Sequence, residues 1–347
     1  MPEINGRLGL GKLPFNFLSQ VLDTIRPIIA PETVQGPGIG EDAAIVRLPC
    51  CDLAFHTDPI TEAGSRIGWL SLHVSANDVA TSGACPRWAS IAVLMPPAAS
   101  VNDVNDVVNG ISIAARELGI DIAGGHTEVS PGISKPIVVS TVIGITCRGC
   151  AIRTGDAAPG DSMVMIGYAG AEGTAILATD FIHIVSKCGL SDSDLREAAS
   201  LARSISIVPV ACRLNRMGVA KAMHDVTEGG VIGGLVEIAL ASRARIVVDL
   251  DRVPVHPITF RISQCLGIDP MKLIGSGGLL VAVRPGYEEM VVSLARELGY
   301  PASVIGRVEQ GRPALIVNSG EQTEYYEPPA DEISRVWARY VSEKTEK

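Results

Sequence analysis

Three short segments place an aspartate beside a small or flexible residue and next to an apolar run. Asp42 lies in GIGEDAAIV (38–46), Asp58 in FHTDPIT (55–61) and Asp78 in VSANDVATSGACP (74–86), with Glu41 and Asn77 as neighbours. Scattered carboxylates usually mark a solvated surface. Carboxylates at the ends of buried strands point instead to a divalent cation, because unpaired charge is too costly to keep there. Two more segments combine glycine with acids or threonine. IAGGHTEVS (122–130) holds Gly124, Gly125, His126 and Thr127, and HDVTEGG (224–230) holds Asp225. Glycine lets a backbone approach phosphates closely, and aspartate supplies oxygen ligands for magnesium.

The chain has no GxxxxGK[ST] and no GxGxxG in a strand–turn–helix setting, which excludes the two commonest phosphate-cradle motifs. GLGKLP (9–14) is a flexible glycine loop with one lysine, Lys12, able to fold over a polyphosphate. His126 has two readings, a proton shuttle or ligand beside phosphates, or a turn histidine bonded to a carbonyl. Glu172, in AEGTAILA, either meets a second substrate or caps a helix, and Glu128 is equally open. His56, His73 and His224 read as core or cleft-wall residues.

The elements that must position these residues follow from periodicity. Phe15, Leu18, Val21, Leu22 and Ile25 share one helical face, and the helix stops near Pro27. AAIVRL and DLAFHTD read as strands, SRIGWLSLHVSANDVATSG as a helix, and WASIAVLMP as a buried strand. VNDVNDVVNGISIAARELG is an amphipathic helix whose early turns carry Asp103 and Asp106. IDIAGGHTEVS then reads as a strand running into a Gly-Gly turn, and KPIVVSTVIGITC as a long β-branched strand. TGDAAPGDS (154–162) is the best boundary, dividing the chain into residues 1–153 and 154–347. Beyond it strands and helices mix again, so the expected class is α+β or α/β in two domains.

A chain of 347 residues with 47% hydrophobic content can bury two cores. Its charged fraction of 19% leaves apolar surface for self-association. The net charge of −9, with 4% aromatics, argues against a nucleic-acid partner. No signal peptide or membrane span is expected, and eight scattered cysteines suggest reduced thiols in a cytoplasmic protein. Cys147 and Cys150 form a C-R-G-C spacing, half a zinc site or a redox pair in principle. Structural zinc needs four ligands, no second CxxC follows, and Cys50–Cys51 is adjacent, so a turn after a strand is expected.

The ordered set GIGEDAAIV, HTDPIT, SANDVATSGACP, AGGHTEV, DVTEGG and GSGGLLVAV resembles the aminoimidazole ribonucleotide (AIR) synthetase superfamily over residues 8–320. Its other members are the hydrogenase-maturation dehydratase HypE, thiamine-monophosphate kinase and selenophosphate synthetase. The resemblance implies a two-domain PurM-like α/β subunit that dimerises through its N-terminal sheets, with ATP and Mg2+ in a cleft near that interface. It also implies that Asp42, Asp58, Asp78 and Asp225 hold metal, with Asp58, Asp78 and His126 at the reacting centre. Lys12, Gly40, Asn77, Gly124, Gly125 and Thr127 would then contact the nucleotide.

Departures narrow the resemblance. Thiamine-monophosphate kinase has two adjacent aspartates where this chain has Glu41–Asp42, and GDT in place of Gly125–His126–Thr127. Selenophosphate synthetase needs a reactive Cys or selenocysteine in the N-terminal loop, and LGLGKLP has neither. HypE works through a cysteine at its extreme C-terminus, whereas this sequence ends SEKTEK, so a dehydratase using its own tail is not expected. The best fit is the HypE-like branch of AIR synthetase-related proteins. The expected activity is ATP- and Mg-dependent phosphoryl transfer that activates an amide- or formyl-type oxygen of a small or protein-borne substrate. A non-catalytic ATP-binding partner of a hydrogenase-maturation-type complex and thiamine-monophosphate kinase are the alternatives.

Overall fold

Alternating burial builds the first sheet. A computed structural model describes residues 15–25, 30–61, 66–318 and 322–345. After helix α1 (Phe15–Ile25), six strands form one sheet in the order β1-β2-β3-β6-β4-β5. They are β1 (Thr33–Gln35), β2 (Ala44–Arg47), β3 (Cys51–Ile60), β4 (Cys85–Met95), β5 (Asp121–Val129) and β6 (Ile137–Cys147). Along β6, Val138, Ser140 and Val142 are buried and alternate with half-buried residues. Their face is covered by α2 (Ile67–Thr81), a helix buried nearly all round, and α3 (Val101–Leu118) packs on α2. Helix α3 begins at the Ser100–Asp103 capping box and ends at Gly119 in the left-handed region, as its amphipathic pattern requires. The opposite face of the sheet is open: Phe55 is exposed, and Thr57 bonds Thr141 there at 2.9 Å.

Every residue of β5 is exposed, because this strand pairs only with β4 and forms the sheet edge. Gly124 and Gly125 lie inside β5, opposite Ser90 and Ile91, and not in the turn expected there. A Cβ on Gly125 would meet the Ile91 carbonyl oxygen at 2.3 Å, so the glycine serves close strand approach.

The second sheet has seven strands in the order β13-β12-β9-β11-β7-β10-β8. They are β7 (Ser162–Ile166), β8 (Ala220–Asp225), β9 (Arg245–Val248), β10 (Leu279–Val283), β11 (Ala302–Glu309), β12 (Ala314–Val317) and β13 (Thr323–Tyr325). SMVMI and LLVAV, the sequences of β7 and β10, are nearly continuous apolar runs because both faces of these strands are buried. Four of the helices that follow α3 are α4 (Ala171–Thr179), α5 (Ile182–Val185), α6 (Asp192–Ser200) and α7 (Val208–Met217). The last four are α8 (Gly230–Ala241), α9 (Pro257–Leu266), α10 (Glu288–Glu297) and α11 (Glu332–Thr345). One core lies between the sheet and α8, and another between the sheet and α7 with α10.

The cysteines depart from the expectation of reduced thiols. Cys147 pairs with Cys150, and Cys188 pairs with Cys265, across Cα separations of 5.2 and 5.8 Å. The first pair does sit at a turn after a strand: β6 ends at Cys147, and Cys150 N–H donates back to the Cys147 carbonyl at 2.9 Å. Cys50, Cys51, Cys85 and Cys212 are free. Among the described residues, no helix is long and apolar enough to cross a membrane.

Candidate metal and nucleotide site

The loop that carries Asp42 is pressed onto the second sheet's layer. Gly40 has φ +73°, and a Cβ there would meet the Glu237 carbonyl oxygen of α8 at 2.6 Å. Only glycine satisfies both that backbone angle and that approach. Next to it, the Glu41 carboxylate accepts hydrogen bonds from Thr154 N–H at 3.1 Å and Gly155 N–H at 3.2 Å. Burial pushes the Glu41 carboxyl up, and these two backbone donors pull against that shift.

Asp42 therefore projects across the seam between the two halves. Its Oδ1 lies 2.5 Å from His224 Nδ1, and His224 Nε2 lies 2.8 Å from Glu237 Oε2. His224 is fully enclosed, which disfavours its charge. The carboxylates of Asp42 and Glu237 outweigh that cost and hold the imidazole well above its usual pKa. The end of β8 supplies both His224 and Asp225, and donor atoms of Asp42, His224 and Asp225 lie within 4.8 Å of one another.

A second group forms on the first sheet. His56 and Asp58, two apart on β3, face the same way, and α2 brings Asp78 to them. Their donor atoms also lie within 4.8 Å of one another, with His56 Nε2 3.5 Å from Asp78 Oδ2. His56 Nδ1 meets the Asp42 carbonyl oxygen, so Asp42 links the two groups through its backbone and its side chain. Among the described residues these are the two groups able to converge on a cation, and neither contains cysteine.

The donor set fits magnesium. Four aspartates offer hard oxygen ligands, and Asp42 Oδ2 is buried without a hydrogen-bond partner. Such an oxygen is costly in a cavity and well used beside a cation.

Other expected site residues stand elsewhere. The side chain of Asn77 is wholly buried and bridges the halves: Nδ2 donates to the Ile205 carbonyl at 2.8 Å, and Oδ1 accepts from Ile207 N–H at 3.0 Å. It positions the seam and has both ends of its amide engaged. Gly124, Gly125, His126 and Thr127 lie on β5, three strands across the sheet from β3, roughly 14 Å at ordinary strand spacing. His126 is exposed and touches Glu128 at 3.1 Å, so a single protomer does not bring it to the aspartates. Lys12 lies outside the described residues.

Sequence reasoning missed His56, His224 and Glu237. The signals were a histidine two positions from Asp58, one adjacent to Asp225, and a lone acid in the apolar helix GVIGGLVEIALA. Glu172 is buried and accepts from Ser276 N–H at 3.2 Å, and burial raises its pKa. Asp331 accepts from Gly229 N–H and Ile333 N–H, both at 2.8 Å, and so fixes the loop after Asp225.

The descriptions of the N-terminal and C-terminal domains of AIR synthase related proteins match residues 40–146 and 158–318, so two such halves meet at the acidic seam. The chain belongs to the AIR synthase related family. It is 28% identical over 316 residues to a candidate hydrogenase expression/formation protein of Methanocaldococcus jannaschii, covering 86% of this chain and 89% of that one. Carbamoyl dehydratase HypE of Rhizobium leguminosarum bv. viciae is 28% identical, with 78% of this chain and 77% of HypE covered. The crystal structure of hydrogenase maturation protein HypE in complex with ATP superimposes with a TM-score of 0.67 at 26% identity, covering 88% of each chain.

Proposed function

We propose that this chain is an ATP- and magnesium-dependent enzyme of the AIR synthase/HypE class. It transfers a phosphoryl group from ATP to an amide- or formyl-type oxygen of a small or protein-borne substrate. The observation that carries this reading is the Asp42 carboxylate, set across the seam beside Asp225 and joined through its carbonyl to the Asp58–Asp78 group. The relatives named carbamoyl dehydratase HypE, and the HypE structure holding ATP, support it.

Asp42, Asp58, Asp78 and Asp225 would hold magnesium, which neutralises polyphosphate charge and orients the terminal phosphoryl group for in-line attack. Phosphorylation converts a poor oxygen leaving group into phosphate, so elimination or attack by a nucleophile completes the reaction. His224, set between Asp42 and Glu237, fixes the position of the Asp42 carboxylate, and Asn77 keeps the two halves in register. A homodimer through the open face of the first sheet and its β5 edge would put Gly124, Gly125, His126 and Thr127 at the subunit boundary. There, beside a partner's nucleotide, His126 could move a proton.

Titration calorimetry with ATP and MgCl2, followed by phosphate release with carboxamide substrates, tests the reading. The expected result is binding that requires magnesium and hydrolysis stimulated by the substrate. Absence of adenine-nucleotide binding would overturn it.

A further inference from the structure

Cys85 and Cys212 come together across the seam, one from each half of the chain. Cys85 opens β4 in the first half, and Cys212 lies in α7 of the second. Arg216, one turn along α7 from Cys212, sets Nη2 3.7 Å from Cys85 Sγ, and the Cys212 thiol is aimed at the backbone of the residue just before Cys85. Arg87 adds a second positive charge. The two thiols are unequal: Cys85 is partly exposed, while Cys212 is buried, with its sulfur 3.9 Å from the Ala84 carbonyl oxygen.

We propose that Cys85 is a peroxide-reactive modification site whose oxidised form Cys212 resolves into a disulfide joining the two domains. A partly exposed sulfur with a guanidinium 3.7 Å away and a second thiol beside it is the arrangement of a redox-sensing cysteine. The electrostatics agree. The hydrogen bond from Cys212 outweighs partial burial, and with Arg216 and Arg87 it draws the Cys85 thiol down to about 6, while Cys212 is raised. Cys51, the other partly exposed free thiol, is shifted up by its bond to Cys50 and so remains the less reactive form at neutral pH.

The chemistry balances with one hydroperoxide as oxidant. The Cys85 thiolate attacks a peroxide oxygen, the O–O bond breaks and hydroxide leaves, giving Cys85 sulfenic acid. The Cys212 sulfur then displaces the sulfenic oxygen as it loses its proton, and water departs. In sum, two thiols and one H2O2 give one disulfide and two waters.

The bond would add a covalent link to a contact now made by hydrogen bonds and apolar packing. In α7, Asn215 Nδ2 donates to the Gly83 carbonyl at 2.8 Å and to Thr146 Oγ1 at 3.1 Å. The segment before α7 is the one held by Asn77. Oxidation therefore adds a covalent tie to the same seam that the candidate nucleotide site spans.

The test is peroxide treatment of the full chain, alkylation and peptide mass spectrometry, with timed iodoacetamide labelling of the untreated protein. The expected result is a Cys85–Cys212 linked peptide and labelling of Cys85 at least on the order of tenfold faster than Cys51 at pH 7, slowing as pH falls below 6. C212S should convert the cross-link into sulfinic or sulfonic acid at Cys85, and C85S should leave Cys212 unmodified. If Cys85 labels no faster than Cys51, or survives peroxide as a free thiol while Cys51 is consumed, the proposal is wrong. The labelling comparison uses the unsubstituted protein, so it decides the matter even where a variant fails to fold.

Discussion

Asp42 Oδ1 and His224 Nδ1 lie 2.5 Å apart, although one belongs to the first sheet's domain and the other ends a strand of the second. The contact makes Asp42 both a candidate ligand and a fastening between the domains. Asp42→Asn keeps the shape but removes the charge, and leaves His224 to pair with Glu237 alone. Magnesium–nucleotide affinity should fall on the order of 100-fold by calorimetry, with a loss of about 1–3 kcal/mol in fold stability.

Asn77 gives the converse result. Asn77→Ala removes two buried inter-domain hydrogen bonds, at about 2–4 kcal/mol in a urea melt. Nucleotide affinity of the folded variant should change far less than in Asp42→Asn. Unchanged stability with lost nucleotide binding would restore Asn77 to the nucleotide.

Asp331 makes a pH prediction. Burial raises its carboxyl to about 6, against the pull of the Ile333 and Gly229 N–H groups. The folded state thus holds a proton that the unfolded chain, near 3.9, has already released. The group's contribution to stability is greatest below pH ~4 and is lost as pH rises through 6, by up to about 3 kcal/mol. Asp331→Asn does not titrate. The stability of wild type minus that of the variant, from urea melts, should therefore fall by that amount between pH 4 and pH 7.

The sheet edge predicts assembly. Ile122 and Val129 are exposed on β5, which has a row of backbone groups unpaired within the protomer on its outer side. Light scattering should report a dimer, and Ile122→Lys with Val129→Lys should shift it to monomer without loss of helical signal. A wild-type monomer at micromolar concentration would contradict this assembly.

The positions of the aspartates were legible because each sits in or beside an apolar periodic run, which fixes its element and the face it takes. Asp225 was legible for the same reason, at the end of β8. The histidines were not, since periodicity gives the face of His56 and His224 but not the carboxylate that will stand opposite. Asn77 looked like a nucleotide contact because it precedes Asp78. On a helix, neighbours one apart point in different directions, and Asn77 turns to Ile205 and Ile207. Gly124–Gly125 read as a turn because glycine pairs usually mark one. Here Gly125 allows β4 and β5 to approach, a need that arises only from the sheet's pairing. Cys188 and Cys265, 77 residues apart, carried no local signal of their bond.

On the reading proposed above, the Asp42–Asp225 and Asp58–Asp78 groups form one metal–polyphosphate site across the domain seam. Crystals grown with manganese and a non-hydrolysable ATP analogue test it most directly, because manganese scatters anomalously. The expected result is an anomalous peak bonded to carboxylate oxygens from these aspartates, with the analogue's phosphates beside it. An analogue bound elsewhere, with no peak at Asp42, would contradict it.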